Sequence, residues 1–313
     1  MHPTEEDRSA ADEPRRGRRF SRGRRSLLIG GAVGLGIAGV ASATATATPP
    51  IGEAVQLALG VAPAQPVPQA GFTRVERIWS RFRRREVDLV TLLPDPAPPR
   101  NLPVSLLLHG LHGRARTAPP TGTVPELAAQ VADDAVPAFG FVAVDGGDDY
   151  WHENHAGDDP MAMLLEEVPQ WLRKRGLGDA AGLPFACTGM SMGGFGALLY
   201  ARRRAVRRQP VDALALLAPA LITSWSEMSK RGAFHSSSDW ASMDPLRHPR
   251  ATQAVATGVW CGTEDQFIAG ARRFIAETRP EVAYTAPGKH GDSFNRTVVA
   301  DVIGFLGRHV PTR

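Results

Sequence analysis

Two neighbouring stretches of the chain alternate apolar and polar residues. FTRVERIWS (72–80) and REVDLVTLLP (85–94) place apolar side chains at about every second position and flank the basic stretch RFRRR. Alternation with a period of two is typical of a strand that buries one face, and a polar turn between two such runs indicates an antiparallel hairpin. The sequence therefore predicts a hairpin at the start of the folded domain.

Further along the chain, short runs are almost entirely apolar, which is typical of buried parallel strands. These runs lie at 102–110, 138–147, 183–189, 211–220, 256–265 and 281–291. Segments with apolar residues three and four positions apart, typical of amphipathic helices, alternate with them. The helical segments lie at 123–136, 159–176, 194–205, 266–280 and 292–309. This order predicts an α/β fold with a mostly parallel central sheet and helices on both faces.

Residues 221–253 do not follow this alternation. They form a long irregular segment that contains Trp225, Met228, Trp240 and Met243. In open α/β sheets, ligands bind beyond the carboxyl ends of the strands. We expect the segment to form a small cap over that edge of the sheet, and we call it the cap segment.

The first 70 residues have a different composition. Residues 1–47 carry eight arginines against five acidic residues and run into the apolar stretch SLLIGGAVGLGIAGVASA. A basic start followed by apolar and then small residues predicts an export signal, and RRSLL (24–28) resembles the twin-arginine export motif. We expect cleavage between positions 43 and 48, with a retained signal anchor as the alternative. The Pro/Ala-rich residues 48–70 predict a linker, which leaves 71–313 as the catalytic domain.

Charge and cysteine content limit the partners and the disulfides that the protein can have. The whole chain has a net charge of +4, and three of those charges lie in the predicted signal. The domain is therefore nearly neutral, and no nucleic-acid partner is expected. Cys187 and Cys261 lie in predicted strands that a third strand separates, which is too far for a disulfide. We expect two buried free thiols.

The stretch PFACTGMSMGGFGALLY (184–200) places Ser191 between Gly189 and Gly193, where a predicted strand meets a predicted helix. A serine on such a tight turn has a strained backbone, and glycines two positions away avoid a backbone clash. The turn exposes the hydroxyl at the positive end of the helix dipole. We therefore expect Ser191 to be a nucleophile; an incidental serine in a glycine-rich turn is the alternative.

A serine hydroxyl needs a base that takes its proton and a carboxylate that orients the base. Of the nine histidines, His290 is best placed, since it follows a predicted strand and precedes the last helix. His235 and His248, in the cap segment, are less favoured alternatives. Glu264 and Asp265 end another predicted strand and are both candidates for the acid.

The oxyanion of a tetrahedral intermediate needs two backbone donors. We expect one to be the N–H of Met192, next to the nucleophile, and the other to be the N–H of Leu111 in HGLHG (109–113). His109 and His112 in the same loop raise the possibility of zinc. They lack a matched carboxylate cluster, and no metal site is predicted.

The stretch DGGDDYWHENHAGDDP (145–160), here named the polar loop, follows another predicted strand. Trp151, His152 and His155 are candidate substrate contacts. A calcium site and a surface loop that caps the following helix are the alternatives. Trp240 of the cap segment is a further candidate contact for an apolar acyl group, although the aromatic residues there could equally hold the cap down.

From about 104 to 306 the chain resembles the esterase family of α/β-hydrolases that includes esterase D, S-formylglutathione hydrolase and the secreted mycolyltransferases. The resemblance rests on LLLHGLHG, TGMSMGGFGALLYA, CGTEDQF and GKHGDSFNR. It implies an α/β-hydrolase fold and favours Asp265 over Glu264 as the acid. The implied catalytic set is Ser191, Asp265 and His290, with Leu111 and Met192 as oxyanion donors.

The chain departs from the family pattern after the histidine. An aromatic pair often follows there, whereas this chain has Phe294–Asn295. The pocket for the acyl group is therefore expected to differ.

These features predict an exported serine ester hydrolase that acts on a small-molecule or lipid ester and needs no cofactor. The protein would be secreted or associated with the cell envelope. The first alternative is an acyltransferase that uses the same three residues and transfers an acyl group to an envelope sugar or lipid. The second is an envelope-binding protein that keeps the fold but not the chemistry.

Overall fold

A computed structural model describes residues 71–312 of the chain. The predicted export signal (1–47) and linker (48–70) lie outside the described residues. Among the described residues, no helix has both the length and the apolar character needed to cross a bilayer.

The described part of the chain contains a sheet of eight strands. The strands are β1 Phe72–Ser80, β2 Arg85–Leu93, β3 Val104–Leu108, β4 Gly140–Val144, β5 Ala186–Met190, β6 Ala213–Leu217, β7 Ala256–Gly262 and β8 Val282–Ala286. They lie in the order β1-β2-β4-β3-β5-β6-β7-β8. β1 pairs with β2, and β2 with β4, in antiparallel fashion, while all other neighbours are parallel. The structure thus confirms the hairpin and the mostly parallel sheet, and this is the α/β-hydrolase fold.

Helices cover the two faces of the sheet. They are α1 Thr123–Ala132, α2 Pro160–Ala162, α3 Val168–Lys174, α4 Met192–Val206, α5 Trp225–Ser229, α6 Ser237–Met243, α7 Ile268–Thr278, α8 Asp292–Asn295 and α9 Val299–Arg308. On one face, α1 and α9 pack against a core that includes Phe139, Phe141 and Phe305. On the other face, α3, α4 and α7 contribute to a core that includes Trp151 and Phe195. Strands β3 to β7 therefore bury both faces, as their sequences predicted. The prediction was wrong for β8, which lies at the edge of the sheet and is largely exposed.

Two predicted helices are interrupted. The helix expected over 159–176 contains a π-helical stretch, Met163–Glu167, immediately before α3. Pro169 lies at the start of α3 and cannot donate a backbone hydrogen bond, so a regular α-helix cannot continue through it. The last helix is interrupted by a 3-10 turn, Arg296–Val298, where the Thr297 hydroxyl donates to Phe294 O at 2.7 Å. The β-branched residues there favour the helix only weakly.

The cap segment is more regular than the sequence predicted. It contains α5, α6 and two 3-10 turns, Pro245–Arg247 and Pro249–Thr252. The side chains of Ser224 and Ser236 accept hydrogen bonds from backbone N–H groups in the first turns of α5 and α6. These N-caps stabilise helices that are too short to be recognised from apolar periodicity.

Cys187 on β5 and Cys261 on β7 are both buried and free, as predicted. Strand β6 lies between them. Burial raises the pKa of Cys261 to about 12 and moves that of Cys187 in the same direction. Both side chains are therefore uncharged components of the core.

The basic end of α4 is only partly solvated. Arg204 is 3% exposed. It donates hydrogen bonds to the Tyr200 hydroxyl at 2.7 Å and to Gln209 O at 2.6 Å. The aliphatic and polar parts of this arginine thus complete the packing of α4.

Candidate active site

The loops that follow the parallel strands meet at one edge of the sheet. A side chain at Gly110, after β3, would lie against Ser191 Cβ, at 3.2 Å from it. Gly146 N, after β4, donates to His109 Nε2 at 2.9 Å. Because the carboxyl ends of parallel strands share an edge, residues distant in sequence come together there.

Ser191 occupies a sharp turn between β5 and α4. Its φ is 53° and its ψ is −120°, a conformation that is costly for a residue with a side chain. Ser191 N donates to Leu217 O at 3.0 Å, and Ser191 O accepts from Ala220 N at 2.8 Å. These bonds to the end of β6 and the loop after it hold the turn in place.

Close backbone approaches explain both glycines that flank the serine. A Cβ at Gly189 would overlap Gly193 O, and a Cβ at Gly193 would overlap Leu108 O. The strand, the turn and the helix can therefore approach one another only if these positions lack side chains. The glycine spacing in the sequence follows directly from this geometry.

Ser191, Asp265 and His290 form a continuous hydrogen-bonded chain. His290 Nε2 lies 2.9 Å from Ser191 Oγ, and His290 Nδ1 lies 2.7 Å from Asp265 Oδ2. The side chain of Asp265 is fully buried, whereas that of His290 is 27% exposed. Glu264, the other candidate acid, is exposed. The structure thus brings together the three residues that the family resemblance implied.

The partners of His290 set its tautomer. A carboxylate only accepts hydrogen bonds, so Nδ1 carries the proton that Asp265 Oδ2 accepts. Nε2 then has a free lone pair and accepts from the Ser191 hydroxyl. Asp265 Oδ1 accepts from Phe267 N at 2.8 Å, which fixes the carboxylate. This arrangement can remove a proton from the serine hydroxyl.

Phe267 supports the imidazole from the side. Its ring packs edge-on against that of His290, with 5.0 Å between the ring centroids. Phe267 was not among the predicted site residues, although its position two residues after the candidate acid was a usable signal. The ring limits the rotation of His290 away from Ser191.

The loop after β3 has a fixed backbone next to the serine. Gly110 O accepts from Gly113 N at 3.0 Å and from the ring nitrogen Nδ1 of His109 at 2.8 Å. The C=O and N–H of a trans peptide point in opposite directions, so these bonds also fix the direction of the Leu111 N–H. Met192 is the first residue of α4, where an N–H has no acceptor within the helix.

His109 has a structural position. It is fully buried, and burial lowers the pKa of its imidazole. Its Nε2 accepts from Gly146 N, which requires a neutral ring. His109 therefore connects the loops after β3 and β4.

Three of the four candidate substrate contacts are buried, whereas His155 is exposed. Trp151 is fully buried, and its Nε1 donates to His109 O at 3.3 Å. His152 is 5% exposed and hydrogen-bonds Ala233 O at 2.7 Å through Nε2. Trp240 is 3% exposed and stacks on Trp225. Polar neighbours in the sequence suggested accessible side chains, but all three pack inside the protein.

The acidic residues of the polar loop have protein partners. Asp159 accepts from Ala162 N at 2.8 Å and caps α2, as one of the alternatives proposed. Asp158 forms ion pairs with Arg83 and Arg85. Within residues 71–312, no group of three or more His, Cys, Asp or Glu side chains is arranged to hold a metal ion.

Comparison with protein families gives one match. A family described as "Putative esterase" matches residues 80–289, about two thirds of the chain. No curated protein matches the sequence significantly. The family match includes Ser191 and Asp265 and ends one residue before His290.

Many solved structures share the fold. A ferulic acid esterase is 16% identical, with a TM-score of 0.63, over 77% of this chain and 99% of its own. An S-formylglutathione hydrolase from Agrobacterium tumefaciens is 15% identical, with a TM-score of 0.61, over 79% of this chain and 99% of its own. The fluorophosphonate-binding serine hydrolase FphF from Staphylococcus aureus is 17% identical, with a TM-score of 0.55, over 75% of this chain and 98% of its own. With an α/β-hydrolase fold and a family match over most of the described residues, the chain belongs to the family described as "Putative esterase".

Proposed function

We propose that this protein is an exported serine ester hydrolase that works through an acyl-enzyme intermediate on Ser191. The observation that carries the proposal is the position of His290, which lies 2.9 Å from the serine hydroxyl and 2.7 Å from a buried carboxylate. A base within hydrogen-bond distance of a hydroxyl, oriented by a third group, is the arrangement that activates a serine.

The first half of the reaction forms the acyl-enzyme. Ser191 Oγ attacks the ester carbonyl carbon while His290 Nε2 takes the hydroxyl proton. The C=O electron pair moves onto oxygen and gives a tetrahedral oxyanion. When this collapses, the bond to the alcohol oxygen breaks and His290 returns its proton to the leaving alcohol.

The second half releases the acid. Water attacks the acyl carbon as His290 Nε2 takes a proton from it. The bond between the carbon and Ser191 Oγ then breaks, and the proton returns to the serine. Asp265 stabilises the positive charge that His290 carries in each half, and its burial strengthens that interaction.

The backbone N–H groups of Leu111 and Met192 are the proposed oxyanion donors. Met192 N–H lies at the amino end of α4, where the helix dipole favours negative charge. The peptide of Leu111 is held by the two hydrogen bonds to Gly110 O. Donors that are already fixed stabilise a developing charge without reorganisation.

The proposal also covers the class of substrate and the location of the protein in the cell. The substrate is a small-molecule or lipid ester, in keeping with the ester chemistry of the family. The motif RRSLL at 24–28 and the apolar stretch after it support export, followed by secretion or association with the cell envelope.

A fluorophosphonate probe tests the proposal, because it reacts covalently with activated serines. We expect one probe molecule per chain in the wild type and none in Ser191→Ala. Ser293→Ala is a matched control, since Ser293 is exposed and lies three residues after His290. The control should label as the wild type does. Equal labelling of Ser191→Ala and wild type would refute the assignment.

A further inference from the structure

Arg231 of the cap segment lies beside the catalytic rim. Its guanidinium carbon is 5.7 Å from the centroid of the Phe267 ring. That ring in turn packs edge-on against His290, at 5.0 Å between centroids. A single aromatic ring therefore separates Arg231 from the proposed base.

No acidic residue neutralises this arginine. Within residues 71–312, no carboxylate lies within 4.0 Å of Arg231, and its side chain makes no hydrogen bond. The neighbouring Lys230 differs, because it forms an ion pair with Glu227 at 2.6 Å. Arg231 is half-buried, and its guanidinium carries five N–H donors that have no protein acceptor within this range.

The backbone that carries Arg231 is held from both sides. Arg231 N donates to Met228 O at 2.9 Å at the end of α5. On the other side, Asn154 Nδ2 donates to Gly232 O at 3.1 Å, and His152 Nε2 hydrogen-bonds Ala233 O at 2.7 Å. The polar loop thus fixes the turn that presents the guanidinium, which gives His152 a positioning role in place of the substrate contact predicted from the sequence.

A second polar group lies within the electrostatic range of Arg231. Tyr150 is 1% exposed, and its hydroxyl makes no hydrogen bond within the described residues. Its ring packs against Phe195, one turn after Ser191 on α4, at 5.2 Å. Burial raises the pKa of Tyr150, and the positive charge of Arg231 opposes that rise. A hydroxyl can both donate and accept, so this one, with no protein partner in the described part of the chain, is available to a ligand oxygen.

We propose that Arg231 binds an anionic oxygen group, a carboxylate or a phosphate, carried by the ester substrate. The inference rests on the proposed ester hydrolysis and narrows its substrate class to esters with a second, negatively charged group. A guanidinium binds such oxygens with two parallel hydrogen bonds.

Paired esters that differ only in charge test the proposal. Monoethyl succinate, glutarate and adipate are compared with the ethyl esters of their half-amides, and ethanol release gives kcat/KM. For an anion on the alcohol side, the acetate ester of 4-hydroxybenzoate is compared with the acetate ester of 4-hydroxybenzamide. The acetate ester of 4-hydroxyphenyl phosphate tests a phosphate group on the same side. The measured quantity is the ratio of kcat/KM for the anionic ester to that for its neutral partner.

We expect at least one pair to favour the anion. In Arg231→Gln this ratio should fall about tenfold to a hundredfold, the size of effect expected for a hydrogen bond between charged groups. Arg231→Lys should restore part of it. Lys230→Gln removes the same charge one residue away and should keep the wild-type ratio.

An unchanged ratio in Arg231→Gln for every pair would overturn the proposal. So would an equal fall in Lys230→Gln, because the effect would then reflect general surface charge. In both cases Ser191-dependent hydrolysis of the neutral esters would continue. Absence of any Ser191-dependent hydrolysis would instead refute the proposed function on which this inference rests.

Discussion

Two regions at the same edge of the sheet are built in different ways. The turn around Ser191 is determined locally, since glycines at 189 and 193 and the bonds to β6 leave the backbone one arrangement. The cap segment around Arg231 is instead held by side chains of the polar loop, about 80 residues earlier in the chain. Local backbone geometry places the proposed nucleophile, whereas long-range side-chain contacts place the candidate specificity residue.

Because of this difference, we expect substitutions in the two regions to have different effects. Substitutions in the turn should affect the reaction with every ester, because they displace the nucleophile itself. Substitutions in the contact between the polar loop and the cap segment should act mainly on stability and on the choice of ester.

The largest effect is expected at the acid. Asp265→Asn keeps the shape of the side chain but favours the wrong tautomer of His290, so kcat should fall about ten-thousandfold for anionic and neutral esters alike. Glu264→Gln is the matched control, since Glu264 is exposed and adjacent. Steady-state kinetics on both variants would measure this. Similar losses in the two variants would contradict the assignment of Asp265.

A second prediction concerns the turn. Gly189→Ala places a methyl group against Gly193 O and should lower the free energy of unfolding by about 3 kcal/mol. Gly304→Ala, within α9, meets nothing closer than 3.9 Å and should instead stabilise the protein by about 1 kcal/mol. Urea unfolding of both variants measures these two changes in the free energy of unfolding. A stable Gly189→Ala variant with wild-type kinetics would show that the turn is less constrained than described.

The contact between loop and cap should show a smaller effect. Asn154→Ala removes the hydrogen bond to Gly232 O and should cost about 1–2 kcal/mol of unfolding free energy. The preference for anionic over neutral esters should weaken at the same time, because the backbone next to Arg231 is released. Chemical unfolding and paired-ester kinetics measure the two effects. A loss of stability with an unchanged preference for anionic esters would show that Asn154 does not determine the position of Arg231.

The smallest effect is a pH dependence that comes from His109. Burial holds the pKa of His109 below its usual range, so the folded protein keeps it neutral while the unfolded chain protonates it below about pH 6.5. The unfolded state then binds more protons, and stability falls as the pH is lowered through that value, by up to about 1.4 kcal/mol per pH unit. The unfolding free energy of His109→Gln should depend less on pH between 7.5 and 5.5. Parallel curves for the two proteins would exclude this role.

The sequence predicted the sheet well, and it identified candidate site residues that the structure brings together, because short-range patterns carry both signals. The hairpin at 72–93 followed from alternation, and Ser191 followed from glycine spacing at a junction of strand and helix. Identifying Asp265 needed the family resemblance, since the pattern alone did not distinguish it from Glu264. The buried strands then brought the residues together because parallel strands share one carboxyl edge.

The surroundings of the site could not be predicted in the same way. Trp151 and His152 stand in a polar stretch, yet they are buried, and their partners come from the loop after β3 and from the cap segment. Arg204 lies among other arginines, yet it packs against Tyr200 inside the protein. Each of these positions depends on contacts with distant segments, which a local pattern does not contain.

The central claim is that Ser191 becomes acylated while His290 takes its proton. Mass spectrometry of the protein after acid quenching, during turnover of 4-nitrophenyl acetate, tests it most directly. With such an activated ester, the acyl-enzyme should accumulate. We expect one acetyl group per chain on the peptide that contains Ser191, and none there in Ser191→Ala or His290→Ala. An acetyl group on another residue, or wild-type turnover by Ser191→Ala, would contradict the account.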